Sequence, residues 1–309
     1  MAVPATPDSA RHALAPLVDS PWRIMWRRLR KRTPAMVGLA LLVLVICLAL
    51  FAPLFTSFNP ELPNLDYKFA KPGFRTESGQ VMIFGGDKLG RDIFTRALYG
   101  GRVSLRVGIL AAGLSLSLGV VIGAISGYFG GWTDTIIMRV VDVFLSLPQV
   151  LILITLVSVL GPAVPKGGEI WLLMGVIGFL GWPGTARLVR GEILSLKERD
   201  YVEAARALGI KDMRILFRHI VPNVIGPIIV SGTLSIASAI ISEATLSYLG
   251  LGIQPPIPSW GNMILDGQAY LRNAWWIVTF PGLLASMTTF SFYMLGDGLR
   301  EALDPRLKK

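Results

Sequence analysis

The chain has 309 residues, 52% of them hydrophobic and 16% charged, with a mean hydropathy of +0.57. Soluble domains carry about 25% charged residues, so this composition excludes an ordinary soluble protein and predicts a polytopic membrane chain rich in glycine (33) and proline (20). One cysteine, Cys47, excludes a disulfide scaffold or a cysteine metal site, and the +10 charge reads as basic residues at the cytoplasmic membrane face, not as a nucleic-acid surface.

Taken in order, residues 1–35 form a cytoplasmic N-terminal segment. In "PWRIMWRRLRKR", Trp22, Met25, Trp26 and Leu29 recur at i, i+3, i+4 and i+7 among arginines. That pattern predicts an amphipathic helix lying in the membrane interface, in contact with lipid. Residues 36–55 are the first transmembrane helix, long enough for a core of about 30 Å. They lack a small-residue cleavage site and read as a retained anchor. An extracytoplasmic loop follows over 56–102. The core, 103–297, holds spans near 103–126, 133–160, 169–189, 223–246 and 274–296, and a cytoplasmic tail occupies 298–309. The fold class is all-α, with six transmembrane helices and both termini on one side. Arg23, Arg27, Arg28, Arg30, Lys31 and Arg32 precede the first span, and Arg187, Arg190, Lys197, Arg199, Arg206, Lys211, Arg214 and Arg218 lie between the fourth and fifth. Basic residues in short loops stay inside, so both clusters belong in the cytoplasm.

Inside the spans, Gly123-x-x-x-Gly127 reads as a helix-packing site, because small residues let backbones approach. Ionisable groups at membrane depth are costly and mark function. The clearest here are Glu243, late in the fifth span, and Asp297, at the end of the sixth. Glu243 is the candidate for the wall of a translocation path. An independent secondary transporter or channel would need more such groups. No HExxH, no P-loop and no paired catalytic carboxylates occur, so we expect no catalytic residue, no metal and no cofactor.

Between the fourth and fifth spans, residues 198–222 break the apolar pattern. "EAARAL" is a good helix core, Gly209 permits a sharp turn, and a second short helix fits Lys211 to Arg218. In that helix Met213, Leu216 and Phe217 make an apolar face opposite Arg214 and Arg218. Pro222 suits entry into the fifth span, since proline is tolerated in a first helical turn. A loop helix with an apolar face either lies on the bilayer or docks into a partner, and physical pattern alone leaves both open.

"EAARALGIKDMRILFRHIVP" (203–222) resembles the EAA loop of ABC importer permeases. His219 stands where many members carry an aliphatic residue. "GGDKLGRDIFTRALYGGRVSL" (85–105), "LSYLGLGIQPPIPSWGNMI" (246–264), "WWIVTFPG" (275–282) and "LGDGLREALDPRLKK" (295–309) are similar to the C-type permease of dipeptide, oligopeptide and nickel importers. The resemblance covers about 250 residues and implies the type I importer permease fold of a bacterial plasma membrane. It also implies a partner set: a homologous B-type permease, two cytoplasmic ATPases that hydrolyse the ATP, and an extracytoplasmic solute-binding protein. Glu203, Ala204, Ala205, Gly209, Met213 and Pro222 would then be the residues that couple to the ATPases. The outer loops, with Trp260 and "QPPIPSW", would either contribute to the docking face of the binding protein or act as rigid caps. Di- or oligopeptides are the expected cargo, with nickel, glutathione and opines as alternatives within the same architecture.

Overall fold

The structure, a computed structural model, describes residues 21–165 and 167–303. Residues 1–20 and the end of the expected tail, 304–309, lie outside the described residues. A short helix, α1 (Pro21–Leu29), carries the tryptophan stripe. Its two edges part company: Leu29 and Met25 pack into protein, while Trp22 and Trp26 are exposed. The first long apolar helix is α2 (Thr33–Leu50), opened by Pro34 in its first turn and followed by a single turn, α3 (Ala52–Phe55). Residues 56–92 then form an irregular cap whose regular elements are a 3₁₀ turn and the strand pair β1 (Phe74–Arg75) and β2 (Val81–Met82).

The second long helix, α4 (Ile93–Phe129), starts ten residues before the expected 103. Asp92 is the reason: its carboxylate accepts from the Thr95 backbone N–H at 2.7 Å and from the Thr95 hydroxyl at 2.6 Å, an N-cap that stops the loop there. Burial pushes this carboxyl above its ordinary range, against the pull of those bonds. The basic residues that made 93–102 read as loop are absorbed by carbonyls. Arg96 is buried and donates to the Pro60 carbonyl at 2.8 Å, and Arg102 donates to those of Ala49 and Leu50.

The third span, expected as one helix over 133–160, is two: α5 (Gly131–Ser146) and α6 (Gln149–Leu160), bent by 88°. Pro148 has no N–H to continue the ladder and drives Leu147 into an extended conformation (φ −89°, ψ 139°). The fourth span is α7 (Glu169–Leu180) and α8 (Trp182–Leu196), which together make one apolar span with a break at Gly181 ahead of Pro183. The short helices α9 (Asp200–Ala207) and α10 (Asp212–Ile215) follow. A π turn at Leu216–Ile220 and a 3₁₀ turn at Val221–Val224 lead into α11 (Ile225–Tyr248). A short helix, α12 (Trp260–Gln268), and the long α13 (Trp276–Leu303) complete the chain. Among the described residues, five helices are long and apolar enough to cross a membrane, or six if the bent pair counts as one span.

α4 is the axis of the bundle. Along one side, a β-carbon at Gly123 would stand 2.4 Å from the Ala186 carbonyl oxygen, and one at Gly127 would stand 2.9 Å from that of Arg190. The glycine pair read from sequence is therefore where α4 and α8 touch backbone to backbone. On another side, Gly108 meets Ile240 of α11, and Leu105, Ala237 and Ile240 share a core with Leu42 and Val45 of α2. Between α4, α6, α7 and α11, Val107, Leu153, Leu173, Ile177 and Leu246 form the largest buried cluster. α2 lies along α13: Gly38 leaves room for Met294, Ala35 faces Gly298, and Arg32 pairs with Glu301 at 2.7 Å.

Candidate functional site

α9 and α10 stand on a small core of their own. Val202, Ile215, Leu216 and Ile220 are buried against Ala124, Val189 and Ile193 of α4 and α8. The turn between the helices is set by Gly209 at φ +73°. Its N–H bonds to the Arg206 carbonyl at 2.9 Å, and the Ile210 N–H bonds to that of Ala205 at 3.2 Å. This is the Schellman closure of a helix, in which the residue after the cap adopts the left-handed conformation that glycine accepts without strain. A β-carbon at Gly209 would meet nothing within 4 Å, so within this chain the residue supplies the turn and no close approach.

Tyr128, near the end of α4, ties both short helices down. Its hydroxyl donates to Asp212 at 2.5 Å, and the Arg206 guanidinium lies over its ring at 5.4 Å. Nearby, Asp134 of α5 is held by Arg190 of α8 at 2.5 Å and by Ser126, and Lys197 donates to the Gly127 carbonyl. Neither Tyr128 nor Asp134 was marked by the sequence reading, because a tyrosine at a helix end and a lone aspartate carry no motif.

The coupling candidates divide by exposure. Glu203, Ala204, Gly209 and Pro222 are exposed, and Met213 is 51% exposed. Ala205 points inward and is buried. The apolar face expected on the second helix also divides: Leu216 is fully buried, whereas Phe217 is exposed, as are Tyr201 and Leu208 of the same segment. The result is a platform that presents apolar side chains, the carboxylates of Asp200 and Glu203 and several arginines away from the bundle.

At the opposite end, the cap is bound by charge. Asp87 accepts from Arg91 at 2.6 Å, and Lys88 reaches Asp266 of α12 at 2.7 Å. Ser259 and Asn262 form a capping box on α12, and Asn262 also donates to the Ile253 and Ile257 carbonyls. Trp260 is buried and its indole N–H donates to the Ala97 carbonyl at 3.0 Å. It is a wedge between helices with no surface to offer a docking protein.

Glu243 is fully buried. Its two oxygens accept from Ser104 of α4 at 2.7 Å and from Ser247 at 2.8 Å. The Ser247 hydroxyl also accepts the Ile253 N–H, and that of Ser104 accepts the Trp260 N–H at 3.5 Å. The carboxylate thus knots α4, α11 and the segment 249–260 together, one residue away from the helix face that opens onto a cleft. Asp297 is exposed. The cleft has a volume of about 310 Å³ and lies between α4, the α5–α6 bend, the α7–α8 break and α11. Ser115, Gln149, Ser235 and Ser238 line it, and no charged side chain does. Among the described residues, no group of three or more His, Cys, Asp or Glu side chains is placed to hold a metal ion.

The bundle thus carries a platform of two short helices at one end, a closed cap at the other and a polar, uncharged cleft between them, the arrangement of a membrane protein built around a path. Residues 119–309 match the family described as binding-protein-dependent transport system inner membrane component, and residues 20–72 match the N-terminal TM domain of oligopeptide transport permease C. The chain belongs to this family of membrane permease subunits. It is 44% identical to the oligopeptide transport system permease protein OppC of Bacillus subtilis (strain 168), over 93% of this chain and 90% of that protein. It is 41% identical to the dipeptide transport system permease protein DppC of Alkalihalophilus pseudofirmus, covering 94% and 91%. The glutathione transport system permease protein GsiD of Escherichia coli O6:K15:H31 is 39% identical over 94% and 92%. The methionine ABC transporter MetNI, solved in inward-facing conformations, has the same fold at a TM-score of 0.55 and 16% identity, covering 66% of this chain and 94% of that one.

Proposed function

We propose that this chain is one of two permease subunits of an ATP-driven, binding-protein-dependent importer of di- or oligopeptides. A homologous B-type permease completes the path, two ATPases engage the α9–α10 platform in the cytoplasm, and a solute-binding protein delivers cargo to the outer cap. The observation that carries this reading is the platform itself. Tyr201, Leu208, Met213 and Phe217 are exposed on a segment anchored by the buried Val202, Ala205, Ile215, Leu216 and Ile220, with its turn closed by the Gly209 and Ile210 backbone hydrogen bonds. Apolar side chains held open on a stiff support suit a protein partner, and the flanking Glu203 and arginines give that contact its register.

In this mechanism the chain catalyses nothing. ATP binding draws the two ATPases together, and the platforms of the two permeases move with them. Glu203, Ala204, Gly209, Met213 and Pro222 lie on the transmitting surface, and Ala205 supports it from beneath. Because α9 and α10 share a core with α4 and α8, a displacement of the platform reaches the membrane helices directly. Access then alternates from the inside to the outside, the released peptide enters, and hydrolysis resets the pair.

Peptide cargo is supported by the dipeptide and oligopeptide relatives, and glutathione, a modified tripeptide, falls within the same chemistry. The test is reconstitution of the complete transporter in liposomes, with radiolabelled peptide and with the binding protein present or omitted. Uptake should require ATP and the binding protein, and excess unlabelled peptide should compete while nickel does not. Saturable, ATP-independent uptake by this chain alone would favour an independent carrier instead.

A further inference from the structure

The cleft beside Glu243 is the feature that the coupling platform and the cap leave unexplained. It lies at membrane mid-depth: Ala111, Ala112 and Ser115 are near the middle of α4, and Ser231 to Ser242 near the middle of α11. On α11, Ser231, Ser235, Ser238 and Ser242 recur at i, i+4, i+7 and i+11, and all four face the cleft. Two of them are already satisfied. Ser242 donates to the Ser238 carbonyl at 2.9 Å, and Ser231 pairs with Thr185 of α8 at 3.1 Å. The hydroxyls of Ser235 and Ser238, the Ser115 hydroxyl and the Gln149 amide have no hydrogen-bond partner among the described residues. Ser115 is only 4% exposed, so its free hydroxyl is a built feature of the wall and not surface decoration.

Free polar groups at this depth do not face lipid, because a donor or acceptor left unpaired in hydrocarbon costs several kcal/mol. Where the partner permease does not cover them, water or a polar solute meets them. Hydroxyls and a primary amide both donate and accept, which matches the alternating C=O and N–H of a peptide main chain. The wall carries no charge, so it has nothing with which to select an acidic from a basic side chain or to hold a metal cation.

We propose that this cleft is where the permease contacts the passing peptide through its main-chain amides, with Ser115, Gln149, Ser235 and Ser238 as the binding residues. The assignment rests on the peptide-import reading above. It makes the contact blind to side chains and weak, as a passage site must be if the solute is to leave.

The test uses the complete transporter in proteoliposomes at saturating, cargo-loaded binding protein. Uptake of tri-alanine, tri-lysine, tri-glutamate and a tri-alanine with both amides N-methylated is measured for wild type and for Q149L/S235A/S238A. The variant should lose about ten-fold in rate for the three unmethylated peptides alike, as expected for losing a few modest hydrogen bonds. It should lose much less for the methylated one, so the ratio of tri-alanine to methylated uptake falls. An unchanged ratio, or a loss confined to one side-chain class, overturns the assignment while leaving peptide import intact. If wild type itself moves none of the peptides, the import reading fails and the assignment with it. A milder second measurement is independent of assembly defects: with Cys47→Ala and Ser238→Cys, a membrane-impermeant thiol reagent should alkylate position 238 in the working complex, more slowly when tri-alanine is being transported. No alkylation at 238 would show the cleft to be dry and refute the proposal.

Discussion

Substituting Gly209 separates two roles that a glycine can play at the α9–α10 bend. Its φ of +73° lies where a residue with a β-carbon is strained by about 1–2 kcal/mol. Within this chain a β-carbon there would touch nothing inside 4 Å, so strain is the whole intramolecular cost. Asparagine tolerates the left-handed region better than other side chains, whereas alanine has no such relief. If Gly209 serves the turn, Gly209→Asn should retain most ATPase association, and Gly209→Ala should weaken it about 5–30-fold, the factor that 1–2 kcal/mol represents. If the ATPase packs against the glycine itself, the larger asparagine is the more damaging change. Titrating purified ATPase onto the reconstituted permease pair gives both affinities directly. Asparagine binding more weakly than alanine would refute the turn argument and move Gly209 into the contact surface.

Removing the Tyr128 hydroxyl with Tyr128→Phe strands the Asp212 acceptor while keeping the ring under Arg206; the expected loss is about 1 kcal/mol, read as a several-fold weaker ATPase association. Glu243→Ala leaves the Ser104 and Ser247 hydroxyls without their acceptor in a buried site and should lower the detergent melting temperature by the equivalent of about 1–3 kcal/mol. Peptide preference in that variant should stay the same, and a changed preference with unchanged stability would put Glu243 on the path after all. Single cysteines at Asn64 and Lys211, with Cys47→Ala, should be labelled by an impermeant thiol reagent only at position 64 in intact cells. Labelling only at 211 would invert the proposed topology.

The apolar runs made the long helices legible, but hydropathy windows blur where helices bend. Nothing in the average of 133–160 distinguishes a straight span from α5 and α6 at 88°; only Pro148 does, and proline inside membrane helices is common enough to be passed over. Residues 93–102 read as loop because Arg96 and Arg102 are charged, and their satisfaction by the carbonyls of Pro60, Ala49 and Leu50 depends on chain folded back from far upstream. Glu243 drew notice as the ionisable residue of its span, yet the pairing that buries it comes from Ser104, 139 positions away. The serine row on α11 was in plain view at helical spacing. Serine contributes almost nothing to a hydropathy profile, and a search for charge misses it.

The clasp between α2 and α13 fixes an order of assembly. Ala35 and Gly38 are seated on Gly298 and Met294, so α2 packs against a helix that leaves the ribosome much later. About 250 residues separate Leu50 from Leu303. At synthesis rates of about 5–20 residues per second, α2 waits on the order of 10–50 s for its partner. For that interval its face of Ala35 and Gly38 must be sheltered by lipid or by the insertion machinery, and the salt bridge from Arg32 to Glu301 forms only once the end of α13 has been made. Closing the bundle therefore reports that α13 has been made and inserted: a product truncated ahead of it would keep α2 in the bilayer but leave it unclasped, an open flank for quality-control proteases to recognise.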